Sequence, residues 1–487
     1  MMRARTTIDR WGPSPATVWL VVALLTLALR LPDIGNPLID LDEQFYLLVG
    51  DRLLHGALPY VDIWDRKPVG LFLLYAAARS LGGDPWVGYQ LLATAFAIAT
   101  AGLIATLTRR VARGWAPVAA GAIYLVWVGF QGGRGGQSPI FYDAFIAAAA
   151  LATMAAIDRP DRSWRYGPVA MLLCGLALQI KPTVVFEGGW FGLTLLFVAW
   201  RGSFGMPRLA LYAVALVGIA LAPSALAYAT YVTLGHGAAW WFANVESIFQ
   251  RGFAPTEPMG GRITGIALML LVPLGAALIG AMRSHGPARL FLLGWLVMAI
   301  VGFLAIPPYY NHYALPLLVP LAVLAGVGVG ANRMLALITA GSAVLLLWLV
   351  GYPHGGERAQ ARATLARLAT TVDRYRAGGC LFDFASVPAL YVATGACTRS
   401  RYVFAPHLML ATEAPAIGVD QLAEVRRILA TRPPVIVTGP PLPGLARPPV
   451  AAVAQALARD YRRVDATSGY TVYARRDTVM PRPAGNP

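Results

Sequence analysis

The chain of 487 residues is 57% hydrophobic and only 13% charged, with a mean hydropathy of +0.58. A soluble protein of this length would carry about 25% charged residues, so a soluble globular enzyme is excluded. The net charge of +16 invites a nucleic-acid reading, but many arginines fall in short loops between apolar runs, where membrane topology explains them better.

The first apolar run, Ala16 to Leu31, follows Arg3, Arg5 and Arg10. It could pass for a signal peptide, yet it leads into Leu-Arg-Leu-Pro-Asp and not into a small-residue cleavage site, so it is read as a retained span. Eleven spans are expected, at about 16–33, 86–108, 116–130, 140–157, 166–180, 183–200, 208–232, 263–282, 289–306, 313–330 and 334–351, each judged by apolar length.

Arginine sets the orientation. Arg109, Arg110 and Arg113 follow the second span and Arg159, Arg162 and Arg165 the fourth; Arg201 and Arg208 follow the sixth, Arg283 and Arg289 the eighth, and Arg333 the tenth. Each even-numbered span therefore delivers the chain to a basic loop, which places the N-terminus inside and the C-terminal tail outside. Arg134, Arg251 and Arg262 are the exceptions on the outer side. The apolar segment Lys67 to Leu81 would invert this pattern if it crossed, so it is read as a helix lying at the membrane surface.

Residues 1–351 thus form a polytopic transmembrane domain with a first outer loop at 34–85, and 352–487 form a second domain. That tail alternates amphipathic stretches (Arg358 to Arg376, Asp420 to Thr431) with short apolar runs (Cys380 to Phe384, Pro434 to Thr438, Tyr470 to Ala474). The pattern predicts a small α/β domain outside the membrane. The last residues, Pro481 to Pro487, read as disordered. An outer location would permit a disulfide between Cys380 and Cys397, with unpaired thiols the equal alternative. Cys174 sits in a span and reads as packing.

Chemistry concentrates on the outer side. Between the first span and the surface helix lie Asp33, Asp40, Asp42, Glu43, Asp51, Asp62 and Asp65. Carboxylates at a membrane boundary are costly unless paired or solvated, which makes them candidates for function. A solvated loop is the plain alternative, but Asp42 and Glu43 directly precede an apolar helical face running through Leu54. Lys67 and Lys181 are the two lysines of the chain, each followed by proline and each on the outer side. An ammonium is a compact charge suited to a phosphate; snorkelling to the interface is the competing account.

Three further elements stand out. The glycine-rich loop Gln131 to Tyr142 leads into Asp143 at the start of a span, where an acid needs a partner or water. The segment Pro307-Pro-Tyr-Tyr-Asn-His-Tyr313 crowds Tyr309, Tyr310, His312 and Tyr313 at the outer end of two spans; an interfacial tyrosine belt and contact with phosphate or substrate are both open. The loop His236 to Arg262 carries Trp240, Trp241, Phe242, Asn244, Glu246 and Arg251, rings and polar groups that suit a sugar or a membrane belt alike. Glu187, buried in the sixth span, has no role assignable from sequence.

These motifs resemble those of the bacterial GT-C glycosyltransferases related to protein mannosyltransferases and to the aminoarabinose and galacturonic acid transferases of lipid A (families 39 and 83). The resemblance rests on Asp42-Glu43 followed by Tyr46, on Gly56, Pro59-Tyr60 and Trp64-Asp-Arg-Lys-Pro-Val-Gly70, on His312-Tyr313 before Leu315-Pro316 and Pro320, and on the run Pro388 to Tyr402. It covers nearly the whole chain. It implies an α-helical polytopic membrane protein of GT-C type with a small C-terminal α/β extracytoplasmic domain.

The implied activity is inverting transfer of a sugar, a hexose or pentose, from a polyprenyl-phosphate carrier. The acceptor would be a lipid, glycan or protein at the outer face of a bacterial inner membrane. Carried over by position, Asp42 would be the general base or a ligand for a metal that acts as one, and Glu43 would support it. Asp143 would be the second-loop acid, although its glycine-rich approach departs from the family pattern. Lys67 would hold the carrier phosphate, with His312 as a second contact and Tyr310, Lys181 and Trp240 lining the substrate site. The chemistry is coherent by itself: a cation stabilises the leaving phosphate, a base takes the acceptor proton, and membrane spans supply a groove for the lipid. A divalent metal ion is compatible with this, though no metal-ligand spacing is evident.

A transporter or flippase of a lipid-linked sugar is the rival from another class, but no internal repeat is visible and the charged candidates gather on one side. A lipid-linked-sugar ligase or polymerase is a third reading, and a structural scaffold the weakest. No nucleic-acid partner is expected.

Overall fold

The computed structural model describes residues 12–202, 204–252, 258–385 and 387–478; Arg3, Arg5, Arg10 and Pro481–Pro487 lie outside them. The chain divides into two compact units, one of residues 1–34, 90–227 and 259–355, the other of 35–89, 228–258 and 356–487.

Each of the eleven expected spans coincides with a helix. Among the described residues seven are long and apolar enough to cross a membrane: Pro85–Val111, Ser138–Asp158, Pro182–Arg201, Met206–Thr233, Met259–Arg283, Gly286–Leu304 and Asn311–Ala331. Pro15–Arg30, Ala116–Phe130 and Arg333–Leu349 are shorter apolar helices, and Ser163–Leu178 completes the set. On Met206–Thr233 the side chains of Leu211, Val214, Val217 and Leu221 are exposed, a cost in water that lipid removes.

The core of the first unit is the helix Leu318–Ala331, whose residues are buried from Leu318 to Gly328. It packs on Met259–Arg283 and Ala116–Phe130. The first of these crossings depends on glycine. A Cβ at Gly280 would lie 1.9 Å from the Leu324 carbonyl oxygen, and one at Gly328 would lie 2.1 Å from that of Ala276. Small residues that let backbones touch are a usual way for helices to associate in lipid, where water no longer drives them together.

In the second unit Asp40 caps the helix Leu41–Leu54, its Oδ1 accepting from the backbone N–H of Asp42 at 2.8 Å and of Glu43 at 3.4 Å. Asp42 and Glu43 therefore occupy the first turn, where the helix dipole favours negative charge. The expected surface segment forms the helix Val69–Ser80, which packs along Leu41–Leu54. Its twelve residues rise about 18 Å, the least of the apolar helices among the described residues.

The C-terminal part of this unit holds a four-stranded sheet of β1 (Leu381–Phe384), β2 (Val435–Thr438), β3 (Tyr461–Thr467) and β4 (Tyr470–Arg475), in the order β1-β2-β4-β3. β1 and β2 run parallel, while β4 is antiparallel to both β2 and β3. Ser468 and Gly469 turn the β3–β4 hairpin with φ of 49° and 82°, the left-handed pair that a two-residue hairpin turn requires. Phe382, Phe384 and Ile436 share a core with Val425 and Ile428 of the helix Gln421–Ala430 and Val453 of Arg447–Asp460. The expected helices and strands all form. β3 and the helix Arg447–Asp460 complete the domain. Cys380 and Cys397 are joined in a disulfide.

Candidate active site

The second unit contains Asp42, Glu43, Lys67 and Trp240; the first contains Asp143, Lys181, Tyr310 and His312. Among the described residues no cluster of three or more His, Cys, Asp or Glu side chains is arranged to hold a metal ion.

In the second unit the helix Leu41–Leu54 places Asp42 and Tyr46 one turn apart on one face, and the Tyr46 hydroxyl donates to Asp42 Oδ2 at 3.3 Å. The Lys67 ammonium lies 5.8 Å from the centre of the same tyrosine ring, within range of a cation–π attraction. Lys67 is held from behind, its carbonyl accepting from the Tyr60 hydroxyl at 2.8 Å. A carboxylate, a phenol and an ammonium thus converge. Glu43 is fully buried beside them in the same helical turn.

Two carboxylates of this region, Asp40 and Asp65, resist ionisation. Burial, then the charges of Asp42 and Glu43, hold Asp40 well above the usual carboxylate range. Burial pushes Asp65 up to about 6 against the opposing pull of Lys67 and Arg66. Such an environment is suited to receiving a proton. Trp240 is buried with its ring 5.2 Å from that of Tyr228.

A second cluster in this unit joins Asp65 and Arg251, which the sequence singles out, to Arg66, Glu413 and His407, to which the sequence assigns no role. Arg66 donates to both oxygens of Glu413, at 3.1 and 2.5 Å, and Arg251 pairs with the same carboxylate at 2.9 Å. Burial would raise the Glu413 carboxyl, but Arg66 and Arg251 hold it down at about 2. His407 Nε2 lies 4.0 Å from Asp65, and burial pushes its imidazole down to about 3, so it is neutral. Arg66 stood inside a recognised motif and could have been suspected. Glu413 and His407 are far along the chain in unremarkable sequence.

In the first unit Asp143 is buried near the start of Ser138–Asp158 and accepts from the Tyr124 hydroxyl at 3.2 Å. The glycine-rich loop before it is tied down by Arg30, which donates to the carbonyls of Gly133 (2.9 Å) and Gly135, and by an ion pair of Arg134 with Asp33. Glu187 receives a partner that sequence could not assign, the Trp295 indole N–H at 2.6 Å.

The same unit stacks cations and rings into a ladder. The Lys181 ammonium lies 4.4 Å from the Tyr313 ring, which meets His312 edge-on at 4.8 Å. His312 stacks on Tyr310 at 5.8 Å and 10°, and the Arg262 guanidinium covers Tyr310 at 4.4 Å. Arg262, noted in the sequence only as a topological exception, thus joins the predicted residues. Lys181, Glu187 and Tyr313 also line a small cleft with Phe186, Met298 and Phe303. A lysine beside apolar and aromatic walls suits a phosphate attached to a lipid.

No protein-family model and no curated protein matches the sequence. Solved structures do. With ArnT from Cupriavidus metallidurans bound to undecaprenyl phosphate the chain has a TM-score of 0.64 at 14% identity, over 96% of its own length and 100% of that chain. The apo state of that protein gives 0.62 at 15% identity, over 95% and 98%. The chain has the ArnT fold. ArnT is of the GT-C type, so the fold that the motifs led us to expect is the one present: a polytopic helical membrane protein with a small C-terminal sheet. Arabinosyltransferase EmbB from Mycobacterium smegmatis matches more loosely, with a TM-score of 0.45 at 13% identity over 96% of this chain and 43% of its own.

Proposed function

We propose that the chain is a membrane glycosyltransferase that moves a sugar from a polyprenyl-phosphate carrier to an acceptor at the outer face of a bacterial inner membrane, with inversion. The N-terminus is cytoplasmic and the C-terminal domain lies outside. In this reading Asp42 takes the proton of the attacking acceptor group, with Glu43 behind it and Tyr46 orienting it. Lys67 holds the carrier phosphate and stabilises the charge that develops as the sugar–phosphate bond breaks. Asp143 is the second acid, and Lys181, Tyr310, His312 and Trp240 line the substrate site. The acceptor is a lipid, a glycan or a protein.

The observation that carries the reading is the convergence of Asp42, Tyr46 and Lys67 in a chain with the fold of ArnT, a protein solved with undecaprenyl phosphate bound. The chemistry agrees with it, since a base and a phosphate-binding cation are the two groups the transfer needs.

The test uses purified protein in lipid with a panel of polyprenyl-phosphate sugars and scores release of free polyprenyl phosphate. Release by wild type, lost in a folded Asp42→Asn variant, is the expected result. Equal release by the variant would place the base elsewhere, and no release with any donor would return the transporter reading to the front.

A further inference from the structure

The ion cluster on Glu413 connects three stretches that are remote in sequence. Arg66 comes from the first outer loop, Arg251 from the segment after Trp240, and Glu413 from the C-terminal domain. Secondary ties run the same way. Arg66 Nε donates to Ser247 Oγ at 3.3 Å, Ser247 Oγ donates to the Ala416 carbonyl at 2.6 Å, and the Gly252 amide donates to the Thr412 carbonyl at 3.0 Å. On the other side of Arg66, Trp64 is sunk in the core of the C-terminal domain against Tyr402 and His407, with its amide donating to the Arg401 carbonyl at 2.9 Å.

Residues 64 to 66 are therefore fastened to the C-terminal domain, and the next residue is Lys67. Its ammonium faces Tyr46, which bonds Asp42. Glu413 is 3% exposed and takes both arms of the Arg66 guanidinium, a planar two-point contact that fixes direction as well as distance. A chain fixed at Arg66 leaves the adjacent lysine backbone little freedom. The second guanidinium, from Arg251, keeps the carboxylate charged and in place, since one buried charge answering two is anchored from both sides.

We propose that Glu413 is a positioning residue for the carrier phosphate: through Arg66 it sets where the Lys67 ammonium stands over Tyr46, which makes the C-terminal domain part of the phosphate-binding apparatus. This rests on Lys67 as the phosphate-holding group. It adds a residue and a domain that the reading of the motifs does not include. Preorganisation of this kind matters because a phosphate contact displaced by about 1 Å loses much of its effect.

The test is a double-mutant cycle on the full chain in lipid nanodiscs, with undecaprenyl phosphate as the probe and its Kd as the readout. Variants are Lys67→Met, Glu413→Gln and both together, with the folded fraction followed by gel filtration. We expect about a tenfold loss of affinity for each single variant, and a double variant no weaker than Lys67→Met alone, because the two act on one contact. Should Glu413→Gln fail to fold, Arg66→Lys, which keeps the charge and loses the fork, takes its place in the cycle. An unchanged Kd in Lys67→Met would sink the reading of Lys67 itself. A weakened Lys67→Met beside an unaffected Glu413→Gln, or losses that multiply in the double variant, would overturn the positioning role and leave that reading intact.

Discussion

Tyr46 donates its phenolic hydrogen to Asp42 across one helical turn, at 3.3 Å, and thereby helps to set the direction of that carboxylate at the start of the helix. The pair depends on the Asp40 cap, which begins the helix at Leu41 and so decides which way both side chains point.

Removing only the hydroxyl tests this. Tyr46→Phe keeps the ring that Lys67 faces and deletes a hydrogen bond to a carboxylate, an interaction of about 1.5–3 kcal/mol. The expected result is a fall of about tenfold or more in the rate of polyprenyl phosphate release, with donor affinity nearly unchanged. A full-rate variant would remove Tyr46 from the mechanism.

His407 predicts how stability depends on pH. Its imidazole titrates near 6.5 when unfolded and near 3 in the folded chain, so below about 6.5 the unfolded state binds a proton that the folded state refuses. Stability from this group is present above 6.5 and falls by about 1.4 kcal/mol per pH unit down to about 3. Glu413, held down at about 2 from 4.5, acts in the same sense below 4.5. Asp65, raised to about 6 from 3.8, acts oppositely between those values, so wild type alone is a poor reporter. The comparison to make is between wild type and His407→Gln. Between pH 7 and 5 the Tm difference should move in favour of the variant, by the equivalent of about 2 kcal/mol. A constant difference would show that His407 is not buried as a neutral ring.

The disulfide joins Cys380 to Cys397 across a sequence separation of 17. The loop supports the helix that carries Asp42, since the Arg52 guanidinium donates to the Ala396 carbonyl at 2.7 Å. Cross-linking a loop of that size contributes about 3 kcal/mol. Cys397→Ser, or reduction, should lower the Tm of the full chain by several degrees, as read by tryptophan fluorescence. An unchanged Tm would mean that the loop is held by its other contacts.

Helix packing in the first unit makes the bluntest prediction. Gly280→Val would drive a branched side chain into the Leu324 carbonyl, a clash that costs about 3 kcal/mol or more if the helices cannot part. We expect lost or aggregated protein by fluorescence-detected gel filtration, whereas Gly275→Ala, whose Cβ would meet open space, should behave as wild type.

Much of this protein is written locally. Apolar length and arginine spacing locate the helices, because the cost of burying backbone and charge in lipid acts on each segment by itself. The run Asp40 to Leu54 announces its helix through its own cap and first-turn acids. Asp42, Glu43, Lys67 and His312 are visible because charged and polar groups beside apolar spans are costly enough to be conspicuous. The partners are another matter. That Arg66 grips Glu413, that Arg262 closes a ladder with Tyr310, and that Trp295 answers Glu187 are relations between residues dozens to hundreds of positions apart. No periodicity links them, and each depends on where packing brings two elements together. The Cys380–Cys397 bond is of the same kind, since spacing permits a disulfide but only the approach of β1 to the following loop closes it.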